Sequence, residues 1–239
     1  NGVERDARAM IVRESTERGA PPTPYLDFPN PEASTVNLYL GAGGSKAGSL
    51  GLSAQNKAGI EKLIDDVQFK GGVLAQAEQS PHRLIYATPE LKDAMHVSGT
   101  PSVKIRLAAN KPAANLSVWL VMLPFDGKVV GSAGQAGVIS RGWADPQNHR
   151  ALTKTGNYDS KLVGTPLAPG KFVDLTFDLQ PIDRVIPAGK RLGLMIMSSD
   201  QDFTLWPKAG TELSVDLSKT TLSLPVVGGV DNLTKGLGK

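Results

Sequence analysis

Few residues of this chain have both the type and the spacing for chemistry. A serine nucleophile of the α/β-hydrolase kind needs Gly-x-Ser-x-Gly on a sharp turn between a strand and a helix. The nearest approach is Ala47-Gly48-Ser49-Leu50-Gly51. It falls in a Gly/Ser-rich stretch, Gly41 to Ser53, that reads as loop with no apolar helix directly after it, so Ser49 reads as a loop residue rather than a nucleophile. The same stretch lacks Gly-Lys-Ser/Thr in register and a following βαβ unit, which removes a phosphate cradle. Three histidines, His82, His96 and His149, are the candidates for a neutral-pH base or an imidazole ligand. None has a second histidine beside it in sequence, and each reads as a surface or loop-bracing residue. Asp174 and Asp178 stand four apart on one face of a strand, about 13 Å along it. That separation suits neither a shared proton nor a single ion, so no cofactor and no metal is expected. Trp143 and Trp206 could stack on sugar rings if exposed; Trp119, inside an apolar run, reads as core.

Composition narrows the classes further. The 239 residues carry a net charge of +3, 40% hydrophobic residues and no cysteine. That excludes disulfides and thiolate chemistry and supplies enough apolar surface for a packed core. The basic residues are scattered and not interleaved with aromatics, so nucleic acid is not an expected partner. No apolar run approaches the roughly 20 residues of a membrane helix. The opening Asn1-Gly2-Val3-Glu4 has neither a start methionine nor a signal sequence, and the expectation is that the chain begins inside a longer protein.

The elements that would position these residues are mostly strands. Val173, Leu175, Phe177 and Leu179 alternate with Asp174, Thr176 and Asp178. A second strand, Arg191 to Ser198, follows the turn chemistry of Pro187-Ala188-Gly189-Lys190, and the two read as a hairpin that needs a further layer. Leu175, Phe177, Leu192, Leu194 and Ile196, with Val173, are the expected core. Further strands are expected at Ala9 to Arg13, Val36 to Leu40, Leu84 to Thr88, Ser102 to Leu107, Ser117 to Leu123, Thr211 to Leu217 and Thr221 to Val226. Gly19 to Glu32 is a Pro-rich extended lead-in. One helical pattern appears, Asn56 to Val67, with Ile60, Leu63, Ile64 and Val67 at three- and four-residue steps. Many short strands and no βαβ alternation predict an all-β fold, an antiparallel β-sandwich or jelly roll. The expected division is 1–32 as lead-in, 33–229 as the sandwich and 230–239 as a loose tail.

The order SGTPSVKIRLAAN, SVWLVML, VISRGWADPQNH and LAPGKFVDLTFDLQPIDRVIPAGKRLGLMIMSSD resembles the C-terminal domain of the Xaa-Pro dipeptidyl-peptidase and cocaine-esterase (CocE/NonD) family of serine hydrolases. The likeness runs from about Leu84 to Gly229. The ending Leu222-Ser223-Leu224-Pro225-Val226-Val227-Gly228-Gly229 is similar to secreted actinobacterial dipeptidyl-peptidases, and Asn1-Gly2-Val3-Glu4 to the segment after their catalytic histidine's helix. The resemblance implies a galactose-binding-like jelly roll that packs on an α/β-hydrolase domain of the same parent, helps wall its peptide pocket and works outside the cell. It carries over no catalytic residue, since no triad motif has a counterpart here, so the chain alone is expected to be inactive. The helical pattern at 56–67 and the tail after Gly229 have no place in that likeness.

Within Ile139 to His149, Arg141 and Trp143 are of the types most enriched at interface hot spots. As alternate residues on an extended backbone they would share a side, with Asp145 in line if the extension continues. These three form a candidate docking patch for the hydrolase domain. The other account is that Trp143 caps the core and Arg141 pairs with Asp145. An independent glycan- or cell-wall-binding module is the alternative function, since fold does not fix function. A Trp143 ring projecting from a polar groove would favour that module, and a buried one docking or structure.

Overall fold

The computed structural model describes residues 3–13, 21–55, 59–127, 129–130, 134–135, 137–156 and 161–239. Among them are sixteen strands and two short α-helices. The first half contains β1 (Ala9–Ile11), β2 (Thr23–Tyr25), β3 (Ala33–Gly41), β4 (Gly48–Gly51), β5 (Ile60–Ile64), α1 (Gly71–Gln76), β6 (Leu84–Ala87), β7 (Met95–Gly99) and β8 (Ser102–Ala109). The second contains β9 (Leu116–Leu123), β10 (Val129–Val130), β11 (Gly134–Gln135), β12 (Val138–Ala144), β13 (Val173–Asp178), β14 (Ile182–Ile186), β15 (Arg191–Met197), β16 (Glu212–Val227) and α2 (Gly229–Gly236).

Twelve strands join one nearly closed sheet, in the order β12-β9-β15-β6-β4-β3-β16-β7-β14, with β8 and β5 along β16 and β13 beyond β8. The all-β expectation therefore holds. Its antiparallel pairing is broken once, because β4 and β6 run parallel; β5 and α1 lie between them, the long crossover that parallel pairing requires. The organising strand is β16. Its first part pairs β5 and β8, and its last part pairs β3, with a register shift between Asp216 and Thr221. Asp216 accepts from the Ser218 amide (3.0 Å) and hydroxyl (2.6 Å), which braces the irregularity that reads in sequence as a break between two strands.

The core is the inside of this closed sheet. Leu175, Phe177, Leu192, Leu194 and Ile196 are buried there as expected, with Val173 partly buried at its margin. The apolar run of β9 is explained by burial on both faces. Leu116, Val118 and Leu120 point into the main core. Trp119 and Val121 point the other way, into a second cluster with Ile85, Met195, Met197, Phe125 and Leu74 of α1. A Cβ on Gly71 would lie 2.3 Å from the Trp119 ring, so the glycine lets α1 lie directly on it.

Several expectations are corrected. Val173–Asp178 and Arg191–Met197 are not a hairpin: β14 lies between them, β13 pairs β8, and β15 pairs β6 and β9. The helical reading of 56–67 fails over its described part, where Ile60–Ile64 is a strand along β16 and residues 56–58 lie outside the described set. Pairing with an open strand edge, reinforced by Lys62 on Glu212 (2.7 Å), outweighs a helical period that would have left Ile60 and Ile64 on the apolar face. Both are exposed.

Nor is 41–53 simply loop, since β4 occupies Gly48–Gly51. Gly48 serves close approach, since a Cβ there would sit 2.5 Å from the Tyr86 ring. Glu61 receives the Gly43 and Gly44 amides (2.6 and 2.9 Å) and the Tyr86 hydroxyl (2.6 Å). Burial, then the hydrogen bond to Glu61, pushes the Tyr86 hydroxyl's pKa far up. Beside it, the buried Arg83 donates to the carbonyls of Gly44 (2.7 Å), Ser45 (2.8 Å), Leu74 (3.2 Å) and Ala77 (2.6 Å), tying this segment to α1. The tail expected to be loose carries α2, whose Leu233 joins the main core along with Leu237 just after it. Two leucines four apart are enough to bury one stripe of a two-turn helix.

Candidate functional site

The stretch 139–149 runs along β12 and into a single 3-10 turn, Pro146–Asn148. Arg141 and Trp143 do share a side, the outer face of the sheet. Arg141 lies opposite Trp119 in the β9 register, and its guanidinium sits 4.3 Å from the Trp119 ring centre and 4.9 Å from that of Phe203. The Trp143 ring is 5.6 Å from Phe203. The backbone stays extended through Asp145, whose side chain turns to the following residues. That carboxylate caps the 3-10 turn, accepting from the Gln147 amide at 2.9 Å. Arg141 therefore stacks on aromatic rings, a cation–π arrangement.

The carboxylate that organises this end is Asp200, which the sequence reading did not single out. Buried at the end of β15, it accepts from Trp119 Nε1 (2.8 Å) and Trp143 Nε1 (3.2 Å) through one oxygen, Oδ2. Its backbone amide and carbonyl both meet the Thr204 hydroxyl (3.0 and 3.1 Å). Burial pushes the Asp200 carboxyl above the ordinary range, and the two indoles and Arg141 offset only part of that. The preceding Ser199 is held by Asp65, through its amide (2.7 Å) and hydroxyl (3.0 Å). An acidic residue three positions past the apolar run Leu192–Met197 was the available signal, because such a residue is buried only if donors converge on it. From this mount the loop 201–207 turns outward, with Phe203, Leu205 (88% exposed) and Trp206 (62% exposed) on the surface. Lys70 reaches across to Asp202 at 3.1 Å.

The other candidates are placed apart. Ser49 stands exposed in the middle of β4, not on a strand-to-helix elbow. His82 braces a turn, with Nδ1 on the Ile64 carbonyl (2.9 Å) and its ring stacked on Phe69. His149 Nδ1 meets the Pro146 carbonyl (3.1 Å). Asp174 pairs with Arg106 (2.9 Å), and Asp178 accepts the Gly156 amide (3.0 Å). No group of three or more His, Asp or Glu able to hold a metal occurs among the described residues.

His96 belongs to a cluster that no sequence spacing announced. Asp183 Oδ1 receives Arg13 Nε (2.8 Å), Tyr25 Oη (3.2 Å) and His96 Nε2 (3.0 Å), and Arg13 also donates to the Tyr25 hydroxyl (2.5 Å). Burial alone would raise the Asp183 carboxyl, but the hydrogen bonds from Arg13, Ser98 and His96 outweigh it and hold it below the ordinary range.

The fold and this surface define a β-sandwich domain with an aromatic face. Residues 1–232 match the model of the X-Pro dipeptidyl-peptidase C-terminal non-catalytic domain, and the chain belongs to that family. A Rhodopirellula baltica protein provisionally named Xaa-Pro dipeptidyl-peptidase is 49% identical over 229 residues, covering 96% of this chain and 35% of that protein. The Xaa-Pro dipeptidyl-peptidase of Lactobacillus delbrueckii subsp. lactis is 32% identical over 218 residues, covering 84% and 27%. The chain thus spans about a third of the length of such relatives. A CocE/NonD family hydrolase from Staphylococcus aureus shares the fold, with a TM-score of 0.62 at 14% identity, covering 93% of this chain and 40% of the other. An aminopeptidase from a marine-sediment Thaumarchaeota archaeon does likewise, with a TM-score of 0.64 at 18% identity, covering 88% and 40%.

Proposed function

We propose that this domain is the galactose-binding-like companion of an α/β-hydrolase domain in a secreted Xaa-Pro dipeptidyl-peptidase. It packs on that domain through the aromatic end and helps wall the pocket that receives the peptide. The serine chemistry belongs to the partner domain, and this chain alone turns over neither Xaa-Pro amides nor esters. The observation that carries the reading is the loop 201–207, which holds Phe203, Leu205 and Trp206 in water above a fully braced base. A solvated aromatic surface on a rigid mount is the form of an interface hot spot. The Trp143 ring is engaged by Phe203 and its N–H by Asp200, an arrangement that favours docking or structure over a sugar platform at that residue.

Trp206→Ala is the discriminating substitution. It should weaken association with the separately expressed hydrolase domain by about 2 kcal/mol or more, measured by calorimetry, and leave the melting temperature of this chain unchanged. Association of the wild-type chain that ignores Trp206 would exclude this surface. No association at all, together with retention of the chain on a cell-wall glycan, would replace the reading with a binding module.

A further inference from the structure

Among the described residues, strands β1 and β2 pair only with each other, as a ribbon separate from the large sheet. Met10 lies opposite Pro24, while Ala9 and Ile11 lie opposite Tyr25 and Thr23. Side chains alternate between faces, and burial follows that alternation on into Val12 and Leu26. Tyr25 is buried, with Ala9, Ile11 and Thr23 half-buried on the inner face. Met10 (56% exposed), Val12 (67%) and Leu26 (82%), with Pro24, form an apolar outer stripe, and the exposed Arg8–Asp27 pair (3.4 Å) lies at its edge beside Leu26. The inner face is fastened to β7 and β14, because Arg13 and Tyr25 reach His96 and Asp183 there. A two-stranded ribbon is marginal in water. Apolar residues on both of its faces mark a ribbon covered on both.

We propose that the outer face formed by Met10, Val12, Pro24 and Leu26 seats the hydrolase part of the parent chain, with the Arg13–Tyr25–His96–Asp183 clasp fixing the ribbon from behind. This rests on the reading of the domain as a hydrolase companion and adds a second surface, distinct from the aromatic loop. The occupant follows from three facts. The family lies C-terminal in its parents, so the catalytic part leads into the domain from the side of β1. The relatives are about three times as long as this chain. And an apolar stripe with its charge pair, Arg8–Asp27, at the margin has the apolar centre and polar rim of a protein interface.

The probe is hydrogen peroxide, with methionine sulfoxide followed by mass spectrometry in this chain and in the intact parent. Oxidation tracks exposure, so Met10 should react roughly tenfold more slowly in the parent than in this chain. Met195, fully buried in the second cluster, should stay protected in both and report that each is folded. In the parent, Leu26→Glu should restore fast oxidation of Met10. Equal Met10 rates in chain and parent would overturn the proposal while leaving the Trp206 test of the wider reading intact. Met10 protection already present in this chain and lost on dilution would overturn it in favour of a second copy. A wild-type chain and hydrolase domain that never associate would remove the wider reading itself.

Discussion

Replacing Asp200 by Ala removes the one acceptor shared by two indoles. Trp119 is buried, so its N–H at 2.8 Å has no access to water once Oδ2 is gone, and an unsatisfied buried donor costs about 1–3 kcal/mol. Trp143 is half-buried and its bond longer, at 3.2 Å, so resolvation limits its loss to about 1 kcal/mol or less. Against these stands the relief of a carboxylate whose raised pKa shows that its burial is not fully compensated. A net loss of about 1–3 kcal/mol at neutral pH follows, less than the 3–5 kcal/mol of a broken buried ion pair. Asp200→Asn separates the two effects, because it keeps an acceptor oxygen and removes the charge. With the folded pKa above the unfolded one, the native state binds more protons just above the ordinary carboxylate range. Wild-type stability must therefore fall as pH rises through that window. The Asn variant should lack this contribution and gain on the wild type as pH rises from the ordinary carboxylate range. Urea titrations followed by tryptophan fluorescence measure both, since Trp119 and Trp143 report the node directly. A constant difference between wild type and Asp200→Asn across that rise, or a neutral Asp200→Ala, would refute the account.

Other substitutions test the frame around this node. Phe177→Ala should cost about 3–5 kcal/mol, read as a denaturation midpoint, because the ring is buried in the main core; an unchanged midpoint would remove it from that core. Leu233→Ala should cost about 2–5 kcal/mol and expose the last residues to limited proteolysis, since α2 is held by that side chain. Asp183→Ala should cost on the order of 3 kcal/mol at neutral pH, with its carboxylate only 4% exposed. Its depressed pKa means that this contribution is present above the ordinary carboxylate range and is lost as pH falls through the lower folded value. Stability curves of wild type and variant should converge in acid.

Alternation carried most of what could be read in the sequence. Leu175 and Phe177 against Asp174 and Thr176, and Arg191 to Ser198 beyond a Pro-Ala-Gly turn, gave strands and core correctly because a half-buried strand leaves a period of two whatever its neighbours are. Pairing was not legible. Nothing local distinguishes β13 beside β15 from β13 beside β8, and the short β14 hides between two better-marked strands. The segment 60–64 shows the limit of periodicity, since Ile60, Leu63 and Ile64 satisfy a helical template while only Leu63 is buried. Parity placed Arg141 and Trp143 on one face, but the partner of Arg141 came from β9 and from the loop after β15, about 20 and 60 residues away in sequence. The ribbon clasp is a harder case, because Asp183 is 170 residues from Arg13 and 87 from His96.

The aromatic end joins the polar interior to the surface it presents. Phe203, Leu205 and Trp206 stand in water, a position that costs solubility unless a partner covers them. A floppy loop would add the entropy of ordering to every docking event, about 0.5–1.5 kcal/mol for each rotamer-rich side chain immobilised. Here the ordering of the loop's base is already done inside the domain. Ser199 is pinned by Asp65, Asp200 by two indoles, and Thr204 by the Asp200 backbone, so the loop leaves the sheet from three fixed points in six residues. Buried polar groups that are all satisfied act as struts. On the proposed docking role, the uncompensated charge at Asp200 is the cost of holding the loop in place before a partner arrives. Loosening that strut should spoil docking by more than it spoils folding.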